Sequence, residues 1–425
     1  MKSIYRNIVI KSLKKAKSEN IALRLPEGTL ISCGQSNAKP QVEIQVKNEA
    51  FFRELAQKGG IGLGEAYQQG YWSSNDLTGA LQWLLRNSSD IAPNISPFLA
   101  SIIKRGHAFF DAILHRKNRN TIEGSRQNIH AHYDLGNAFY STFLDPSMTY
   151  SSAYFSHETE TLEEAQSEKY DRLCRKLGIN SLHHVLEIGC GWGGFAIHAA
   201  KNYNCCVTAT TISKEQYIEA TRRVNEAGLQ NRVHITMTDY RKLEGKFDRI
   251  ASIEMLEAVG QEFLGEYFEQ VENLLEPDGL AGVQVITCPN PLYDTFSGRV
   301  DWIQKHIFPG SHLPSSHALI ENAQTRGNLE TYHMESFGLH YARTLREWRI
   351  RFMDQWTKIE PQGFDEAFKR KWEYYLAYCE AGFLQRHVNV CQLIFGRADE
   401  TAYAYETISN SEKNSQGEVA ILNAS

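Results

Sequence analysis

The strongest constraint on the fold is a glycine-rich run in the middle of the chain, VLEIGCGWGG at residues 185–194. The apolar residues at its start predict a buried strand, and the apolar residues from Phe195 onward predict a helix. Gly189, Gly191 and Gly193 lack side chains where the backbone must turn sharply and approach a ligand closely. The run therefore predicts a strand, a tight turn and a helix of a doubly wound α/β domain, with a nucleotide-like ligand at the turn.

The spacing of these glycines restricts the kind of ligand. It differs from G-x-G-x-x-G, and no Lys-Ser/Thr pair follows as in a P-loop, so a dinucleotide or a nucleoside triphosphate fits poorly. Glu187, an acid just inside the predicted strand end, suits a ligand with a cationic amino group. The pattern resembles the first motif of S-adenosylmethionine-dependent methyltransferases, in which that acid faces the methionine amino end. A plain glycine turn of an α/β domain is the alternative.

Length and composition set the outer limits. The chain has 425 residues, is 42% hydrophobic and carries a formal net charge of −5, which indicates a soluble globular protein of two domains. No apolar run approaches the roughly 18 residues of a membrane span, and the N-terminus lacks a signal-peptide core, so we expect a cytoplasmic location. The eight cysteines lack C-x-x-C spacing and predict buried free thiols rather than a metal site or disulfides. No nucleic-acid partner is expected.

Hydrophobic periodicity divides the chain into three parts. Alternation from Ile21 to Val46, followed by helical periodicity from Phe51 to Leu84, predicts a small N-terminal α+β domain over residues 1–125. Strands alternate with helices from Val185 onward, which predicts a mostly parallel sheet in a catalytic domain over residues 126–400. Residues 401–425 predict a flexible tail. The predicted strands are Val185–Ile188, Cys206–Thr211, Val233–Thr236, Ile250–Ile253 and Leu280–Ile286, with helices starting near Gly194, Lys214 and Glu262.

The N-terminal part is basic although the whole chain is slightly acidic. Basic residues alternate there with Ile4, Ile8 and other apolar residues, which allows an amphipathic helix that could lie on an anionic membrane surface. A solvated helix face with a basic linker is equally consistent with this pattern. The basic residues form two clusters: Lys2, Arg6, Lys11, Lys14, Lys15 and Lys17, and then Lys104, Arg105, Arg116, Lys117, Arg119 and Arg126.

Polar and aromatic residues follow the predicted strands where a ligand of such a sheet would lie. Thr211, Ile212 and Gln216 after the second strand could bind a ribose. Asp239 and Tyr240 after the third offer a carboxylate for an exocyclic amine and a ring for an adenine, although a simple turn is the alternative. Before the sheet, the aromatic faces of Tyr133 and Tyr150, the latter followed by Ser151, could stabilise a sulfonium cation.

Two acids stand three residues apart after the fourth predicted strand. Glu254 and Glu257 could share one face of a helical turn, and one of them could be a catalytic group. Gln284 and Ile286 close the fifth strand. They are followed at 291–308 by an insertion with Tyr293, Phe296, Trp302 and Phe308, which suits an apolar substrate.

Together these motifs resemble the cyclopropane-fatty-acyl-phospholipid synthases and their mycolic acid relatives. The resemblance runs from His132 to about Arg397, and the N-terminal part is similar only to the extra domain of the bacterial enzymes. The segments that carry it are His132-Tyr133-Asp134-Leu135, 149–155, the glycine run, Asp239-Tyr240-Arg241, Glu257, Ile307-Phe308-Pro309-Gly310, Leu313-Pro314-Ser315 and Tyr341. The resemblance implies a class I methyltransferase-like fold with inserted helices over the ligand crevice.

The resemblance also implies an activity. A methyl group of S-adenosylmethionine is transferred to the cis double bond of an unsaturated phospholipid acyl chain, and loss of a proton closes a cyclopropane ring. By resemblance, bicarbonate accepts the proton and is held by Glu257, Tyr341, Gln284 and the backbone amides of Ser152 and Ile286. We expect the cofactor to be bound by Tyr150, Ser151, Glu187, Gly189, Gly191, Gly193, Thr211, Ile212, Gln216, Asp239 and Tyr240. A homodimer peripheral to the inner face of the membrane is expected.

One residue departs from the family pattern. Gln284 stands where many members have histidine, and its amide can donate to an anion but cannot titrate. The product could therefore be a methyl-branched or methylene-branched acyl chain. A methyltransferase acting on a soluble small molecule and a lipid-binding protein on a degenerate methyltransferase scaffold are the further alternatives.

Overall fold

The computed structural model describes residues 2–35, 40–91, 119–125, 128, 135–297 and 299–398. The chain packs into two compact units, each built from separate stretches of sequence. The first comprises Met1–Met148, Thr287–Leu313 and Phe337–Asn389, and the second comprises Thr149–Ile286, Pro314–Ser336 and Val390–Ser425. The boundaries of these two units differ from the predicted domain boundaries at residues 125 and 400. Where the independently folding domains begin and end stays a prediction.

The first unit contains a four-stranded sheet in the order β2-β1-β3-β4 together with most of the helices. The strands are β1 (Ile21–Arg24), β2 (Leu30–Cys33), β3 (Glu43–Val46) and β4 (Trp72–Ser74). The helices are Lys2–Leu13, Ala50–Gln68, Leu77–Arg86, Ser88–Ile91, Asn137–Tyr140, Tyr293–Ser297, Trp302–His306, Gly338–Asp354, Trp356–Ile359 and Glu366–Leu384. The predicted α+β character of the N-terminal part is confirmed.

The predicted helical stretch from Phe51 to Leu84 is wrong in one place, because β4 interrupts it. Gly70 adopts a left-handed conformation with φ of 70° just after the helix Ala50–Gln68 ends. Trp72 then pairs with Val46 of β3, and its buried indole donates to the carbonyl of Leu63 at 3.0 Å. A single buried tryptophan thus turns this short segment into an edge strand.

A buried carboxylate joins distant parts of the first unit. Glu380 is 1% exposed and accepts hydrogen bonds from Thr78 Oγ1 at 2.8 Å, Arg346 Nε at 2.8 Å and Arg349 Nη2 at 3.0 Å. Charged hydrogen bonds of this kind compensate the cost of burying the carboxylate. They explain why the N-terminal helix Leu77–Arg86 belongs to the same packed unit as the helices from residue 338 onward.

The second unit is built on a seven-stranded sheet in the order β10-β11-β9-β8-β5-β6-β7. Its strands are β5 (His184–Ile188), β6 (Cys206–Thr210), β7 (Val233–Thr236), β8 (Phe247–Ile253), β9 (Leu275–Thr287), β10 (Glu330–Ser336) and β11 (Asn389–Gly396), which begins one residue before the unit. The helices are Leu162–Lys176, Gly194–Tyr203, Lys214–Glu226, Leu264–Leu274 and Ser316–Thr325. The five predicted strands and the three predicted helix starts are confirmed.

The order of the strands defines where a ligand can bind. Strands β5 to β9 run parallel, and the chain moves from β5 outward to β6 and β7, then crosses to β8 on the other side of β5. Strand β10 is antiparallel to β11. In open α/β sheets the crevice lies outside the carboxyl ends of the strands where the order reverses, here β5 and β8. The predicted fold class is therefore confirmed.

Several sequence predictions concern cysteines, membrane spans and segments near the chain ends. None of the eight cysteines forms a disulfide bond, and six are buried, as predicted. Among the helices that the structure describes, none is long and apolar enough to cross a membrane. Residues 401–425, Tyr133 with its neighbours 132 and 134, and all of the second basic cluster except Arg119 lie outside the described residues.

Candidate active site

The glycine run forms the predicted turn at the carboxyl end of β5. Gly189, Gly191 and Gly193 have φ values of 85°, 51° and 83°, a region that residues with a Cβ atom rarely adopt. A Cβ on Gly189 would lie 2.7 Å from Met255, whereas a Cβ on Gly191 would meet no atom within 4 Å. Gly189 is thus needed for close packing, and Gly191 leaves open space at the turn. This open backbone fits the close approach of a ligand.

Glu187 brings a carboxyl group to the same turn. It is 3% exposed, and burial raises the pKa of its carboxyl to about 8, although the nearby Lys169 charge and the amide of Ala196 partly oppose this. Its Oε2 atom is buried without a hydrogen-bond partner among the described residues. A buried acceptor beside open backbone fits the cationic amino group of S-adenosylmethionine, because that group would satisfy the oxygen and stabilise its charge.

The residues after β6 form a compact hydrogen-bonded turn. Thr211 Oγ1 donates to Gln216 Oε1 at 2.8 Å and accepts from the Ser213 amide at 3.1 Å. Ser213 caps the helix Lys214–Glu226 by accepting from the Gln216 amide. Thr211 and Gln216 are therefore brought together at the carboxyl edge, with Ile212 between them. Their contact with a ribose stays a prediction.

The acid and the ring after β7 have partners within the protein. Both carboxylate oxygens of Asp239 accept from Arg241, at 2.9 Å from Nε and 2.8 Å from Nη2. The Tyr240 ring lies 5.5 Å from the Tyr267 ring at an angle of 63°, and its buried hydroxyl has no hydrogen-bond partner among the described residues. Asp239 is thus ion-paired with Arg241, and the Tyr240 ring packs against Tyr267. Their predicted contacts with an adenine stay predictions.

Tyr150, Ser151 and Ser152 precede the first helix of the second unit. The Ser151 hydroxyl accepts from Lys169 Nζ at 2.7 Å, and its carbonyl accepts from Gln166 Nε2 at 2.9 Å. Tyr150 is half-buried, whereas Ser151 and Ser152 are buried. Lys169 and Gln166 therefore bind this segment through both the hydroxyl and the backbone carbonyl of Ser151.

Glu254 is the feature that sequence reasoning did not resolve. It directly follows β8 and has a left-handed φ of 51°, one of five such non-glycine residues in the described chain. Its amide donates to the Gln284 carbonyl at 2.7 Å. Its Oε1 accepts from the Ser152 amide and from Gln284 Nε2, each at 2.8 Å. The strained turn thus points the carboxylate at two of the donors that were predicted to hold bicarbonate.

Glu257 lies one turn further along the chain and has a different environment. Its Oε1 accepts from the Ile286 amide at 2.5 Å, while its buried Oε2 has no hydrogen-bond partner among the described residues. Burial, and next the charge of Glu254, raise the pKa of the Glu257 carboxyl to about 8. Two neighbouring half-buried acids do not both ionise readily at neutral pH. The two donors on Glu254 assign the negative charge to that residue and the proton to Glu257.

The orientation of Gln284 is set by a chain of polar side chains. Gln284 is fully buried, and its Oε1 accepts from Gln392 Nε2 at 3.1 Å. Gln392 Oε1 in turn accepts from Lys176 Nζ at 2.6 Å, and Lys176 pairs with Glu335. This chain directs the amide nitrogen of Gln284 toward Glu254. The register of β8 and β9, which pairs Ile253 with Gln284, brings these residues together.

The predicted catalytic set is therefore only partly assembled within one unit. Ser152, Gln284, Ile286 and Glu257 lie together in the second unit, but their donors are engaged by the two carboxylates. Tyr341 belongs to the first unit, where it is 6% exposed and its ring lies 4.5 Å from that of Phe383. Its predicted role stays a prediction.

Comparison with known proteins agrees with this geometry. The family model described as mycolic acid cyclopropane synthetase matches residues 120–393, more than half of the chain. The chain is 37% identical over 389 residues to the tuberculostearic acid methyltransferase UfaA1 of Mycobacterium tuberculosis, covering 89% of each chain. It is 36% identical over 366 residues to the cyclopropane-fatty-acyl-phospholipid synthase of Escherichia coli, covering 86% of this chain and 90% of that one.

Solved structures give the same result. The mycolic acid cyclopropane synthase CmaA1, solved with SAH and CTAB, is 30% identical with a TM-score of 0.60, covering 64% of this chain and 97% of that one. The cyclopropane synthase MmaA2 of Mycobacterium tuberculosis is 28% identical with a TM-score of 0.60, covering 64% and 98%. The chain belongs to the mycolic acid cyclopropane synthetase family and is an S-adenosylmethionine-dependent methyltransferase.

Proposed function

We propose that this enzyme transfers the methyl group of S-adenosylmethionine to the cis double bond of an unsaturated phospholipid acyl chain, and that Glu254 accepts the proton released afterward. The observation that carries the proposal is the Glu254 carboxylate, which accepts from the Ser152 amide and from Gln284 Nε2 at 2.8 Å each. A proton acceptor built into the chain takes the role that the sequence resemblance implied for bicarbonate.

The reaction balances with the residues at hand. When bound, S-adenosylmethionine supplies an electrophilic methyl group, to which the electron pair of the alkene bonds as the carbon–sulfur bond breaks. Glu254 accepts the proton that the resulting carbocation loses from its new methyl group, while the C–H electron pair closes a cyclopropane ring. The cation must be kept from water, which would otherwise trap it.

Gln284 serves this step without titrating. Its amide donates to Glu254 and is held in place by Gln392. A fixed donor stabilises the carboxylate before the reaction and leaves it able to accept a proton. Glu257 retains its own proton, so that a single negative charge faces the cation.

A second product is supported by the nearly equal identity to two differently named relatives, a tuberculostearic acid methyltransferase and a cyclopropane synthase. If a 1,2-hydride shift precedes proton loss, the cation moves to the carbon that carries the new methyl group. The electron pair of a methyl C–H bond then forms a C=CH2 double bond, and the chain becomes methylene-branched. This route needs the same base and no reductant. A saturated methyl branch would need a hydride donor and is not proposed for this chain.

The test is to incubate the purified full chain with methyl-labelled S-adenosylmethionine and vesicles of dioleoyl phosphatidylglycerol. We expect label in the acyl chains, and proton NMR of the lipid then separates ring methylene protons from vinylic ones. The assay is repeated in buffer depleted of carbon dioxide, with and without added bicarbonate. We expect the same rate in both, whereas a rate that depends on bicarbonate contradicts the role of Glu254. Absence of acyl label overturns the substrate.

The first helix supports a contact with the membrane surface. On the helix Lys2–Leu13, Ile4 is 57% exposed and Ile8 is 44% exposed, and the exposed Lys11 follows on the same face. Exposed apolar side chains beside a basic one suit the surface of an anionic bilayer. Substitution of both isoleucines by serine should reduce sedimentation with phosphatidylglycerol vesicles. Unchanged sedimentation would show that this helix does not contact the membrane surface. The homodimer stays a prediction.

A further inference from the structure

Lys169 is a fully buried lysine in the second unit. It lies on the helix Leu162–Lys176 with 0% of its surface exposed, a position that lysine rarely takes without charged or polar partners. Its Nζ donates to the Ser151 hydroxyl at 2.7 Å and lies 4.0 Å from the centre of the Tyr170 ring. The ammonium group therefore faces the segment that precedes the helix.

Two further residues on the same face of that helix form hydrogen bonds with residues 149–151. Gln166, three residues before Lys169, donates to the Ser151 carbonyl at 2.9 Å, and the Tyr170 hydroxyl hydrogen-bonds to Thr149 Oγ1 at 2.8 Å. Gln166 is fully buried, and its Oε1 has no hydrogen-bond partner among the described residues. Three neighbouring helix residues thus fix residues 149–151, the stretch that contains the predicted cofactor residues Tyr150 and Ser151.

The charge of Lys169 lowers the pKa of Glu187, against the larger effect of burial. Among the described residues, the titratable groups that interact with this carboxyl are Lys169 and Cys174 from the helix and Cys190 from the glycine turn. Burial raises the pKa of both thiols well above the ordinary value, so neither carries charge at neutral pH. Lys169 is therefore the cation that favours ionisation of Glu187, the carboxyl whose Oε2 has no partner among the described residues.

We propose that Lys169 is a positioning residue for S-adenosylmethionine: it orders the segment at Tyr150 and Ser151 and prepares Glu187 to receive the cationic amino end of the cofactor. This inference rests on the cofactor of the family and is independent of the acyl substrate. Binding of the amino group then ionises Glu187 and releases its proton to solvent, so that cofactor affinity is linked to pH.

The size of the effect follows from the population of the ionised form. With a Glu187 pKa of about 8, only about one molecule in ten carries the charge at pH 7, and the apparent affinity falls by that fraction. Removal of the Lys169 charge raises the pKa of Glu187 further. We expect the dissociation constant of Lys169→Met for S-adenosylmethionine to be at least about tenfold weaker at pH 7, with a smaller difference at about pH 9.

The experiment is titration calorimetry of the full chain with S-adenosylmethionine, over a pH series and in two buffers of different ionisation enthalpy. The wild type should release close to one proton at neutral pH and about a tenth of a proton at about pH 9, where Lys169→Met should release more. Lys169→Arg should recover most of the affinity. Arg175→Met is the matched control, since this exposed cation on the same helix should leave both the affinity and the proton count unchanged.

Two results would overturn the proposal. If Lys169→Met weakens binding by the same factor at every pH, with an unchanged proton count, the lysine has only a structural role. If the variant does not fold, the wild type still decides, because binding without proton release at neutral pH excludes the proposed linkage. A chain that binds the cofactor as expected but leaves acyl chains unlabelled contradicts the proposed substrate alone.

Discussion

The carboxyl ends of β5 and β8 each present an acid, but the two acids differ in their hydrogen bonding and therefore in their charge before a ligand binds. At β5, Glu187 has one oxygen without a partner among the described residues. At β8, Glu254 already accepts from the Ser152 amide and the Gln284 side chain. The first acid therefore needs a positive charge from a ligand, whereas the second holds a compensated negative charge. In the proposed mechanism, acids of the same type thus serve in binding and in proton transfer at neighbouring strand ends.

The largest expected effect comes from removal of the charge at β8. Glu254→Gln retains the size of the side chain but cannot accept a proton, so we expect turnover on unsaturated phospholipid to fall by about 10²- to 10⁴-fold. The dissociation constant for S-adenosylmethionine should stay nearly unchanged. Steady-state kinetics and calorimetry on the same preparation measure the two quantities. A Glu254→Gln enzyme with wild-type turnover would assign the base to another group.

The next effect concerns Glu257 and the stability of the fold. Its pKa is about 8 in the folded chain and about 4.3 when unfolded, so the folded state binds the proton more tightly. Its contribution to stability is therefore fully present below about pH 4.3 and is lost as pH rises through about 8, by a few kcal/mol in total. Glu257→Gln keeps an acceptor for the Ile286 amide and should remove this loss. Thermal unfolding at about pH 6 and pH 9 measures it, and an equal decline in both proteins would mean that Glu257 is ionised at neutral pH.

At β5 the expected effect is on affinity rather than on turnover. Glu187→Gln cannot provide a negative charge for the amino group of the cofactor, and a charged hydrogen bond contributes about 1.5–3 kcal/mol. We expect the dissociation constant for S-adenosylmethionine to increase about tenfold to a hundredfold, while kcat at saturating cofactor changes little. An equal fall in kcat at saturation would show that the two ends of the crevice do not have separate roles.

The same comparison shows what the sequence could predict. The glycine turn and Glu187 are adjacent in the chain, and local periodicity with glycine spacing was enough to find them. Glu254 depends on contacts with Ser152, 102 positions away, and with Gln284, 30 positions away. Its left-handed φ could not be predicted, because glycine or asparagine usually signals such a conformation and this residue is a glutamate. The spacing alone therefore left Glu254 and Glu257 as equal candidates, and the family resemblance pointed to Glu257.

The domain boundaries illustrate the same limit. Glu380 accepts a hydrogen bond from Thr78, 302 positions earlier, so residues of the N-terminal part and of the later helices share one packed unit. A composition shift along the chain predicts where a linker could lie. It does not predict which segments return to pack together, because that depends on buried partners distant in sequence.

The smallest expected effect comes from the residue that departs from the family pattern. In Gln284→His, a neutral imidazole can donate from one nitrogen to Glu254 and accept with the other from Gln392, as the amide does now. We expect turnover to change by less than about tenfold, whereas Gln284→Leu should lose more because a donor to Glu254 disappears. Both variants are compared by kinetics on dioleoyl phosphatidylglycerol, with thermal unfolding as a control. If Gln284→His folds and binds the cofactor but is inactive, the amide has a geometric role that imidazole does not reproduce. The site at β8 would then tolerate less change in side-chain geometry than the site at β5.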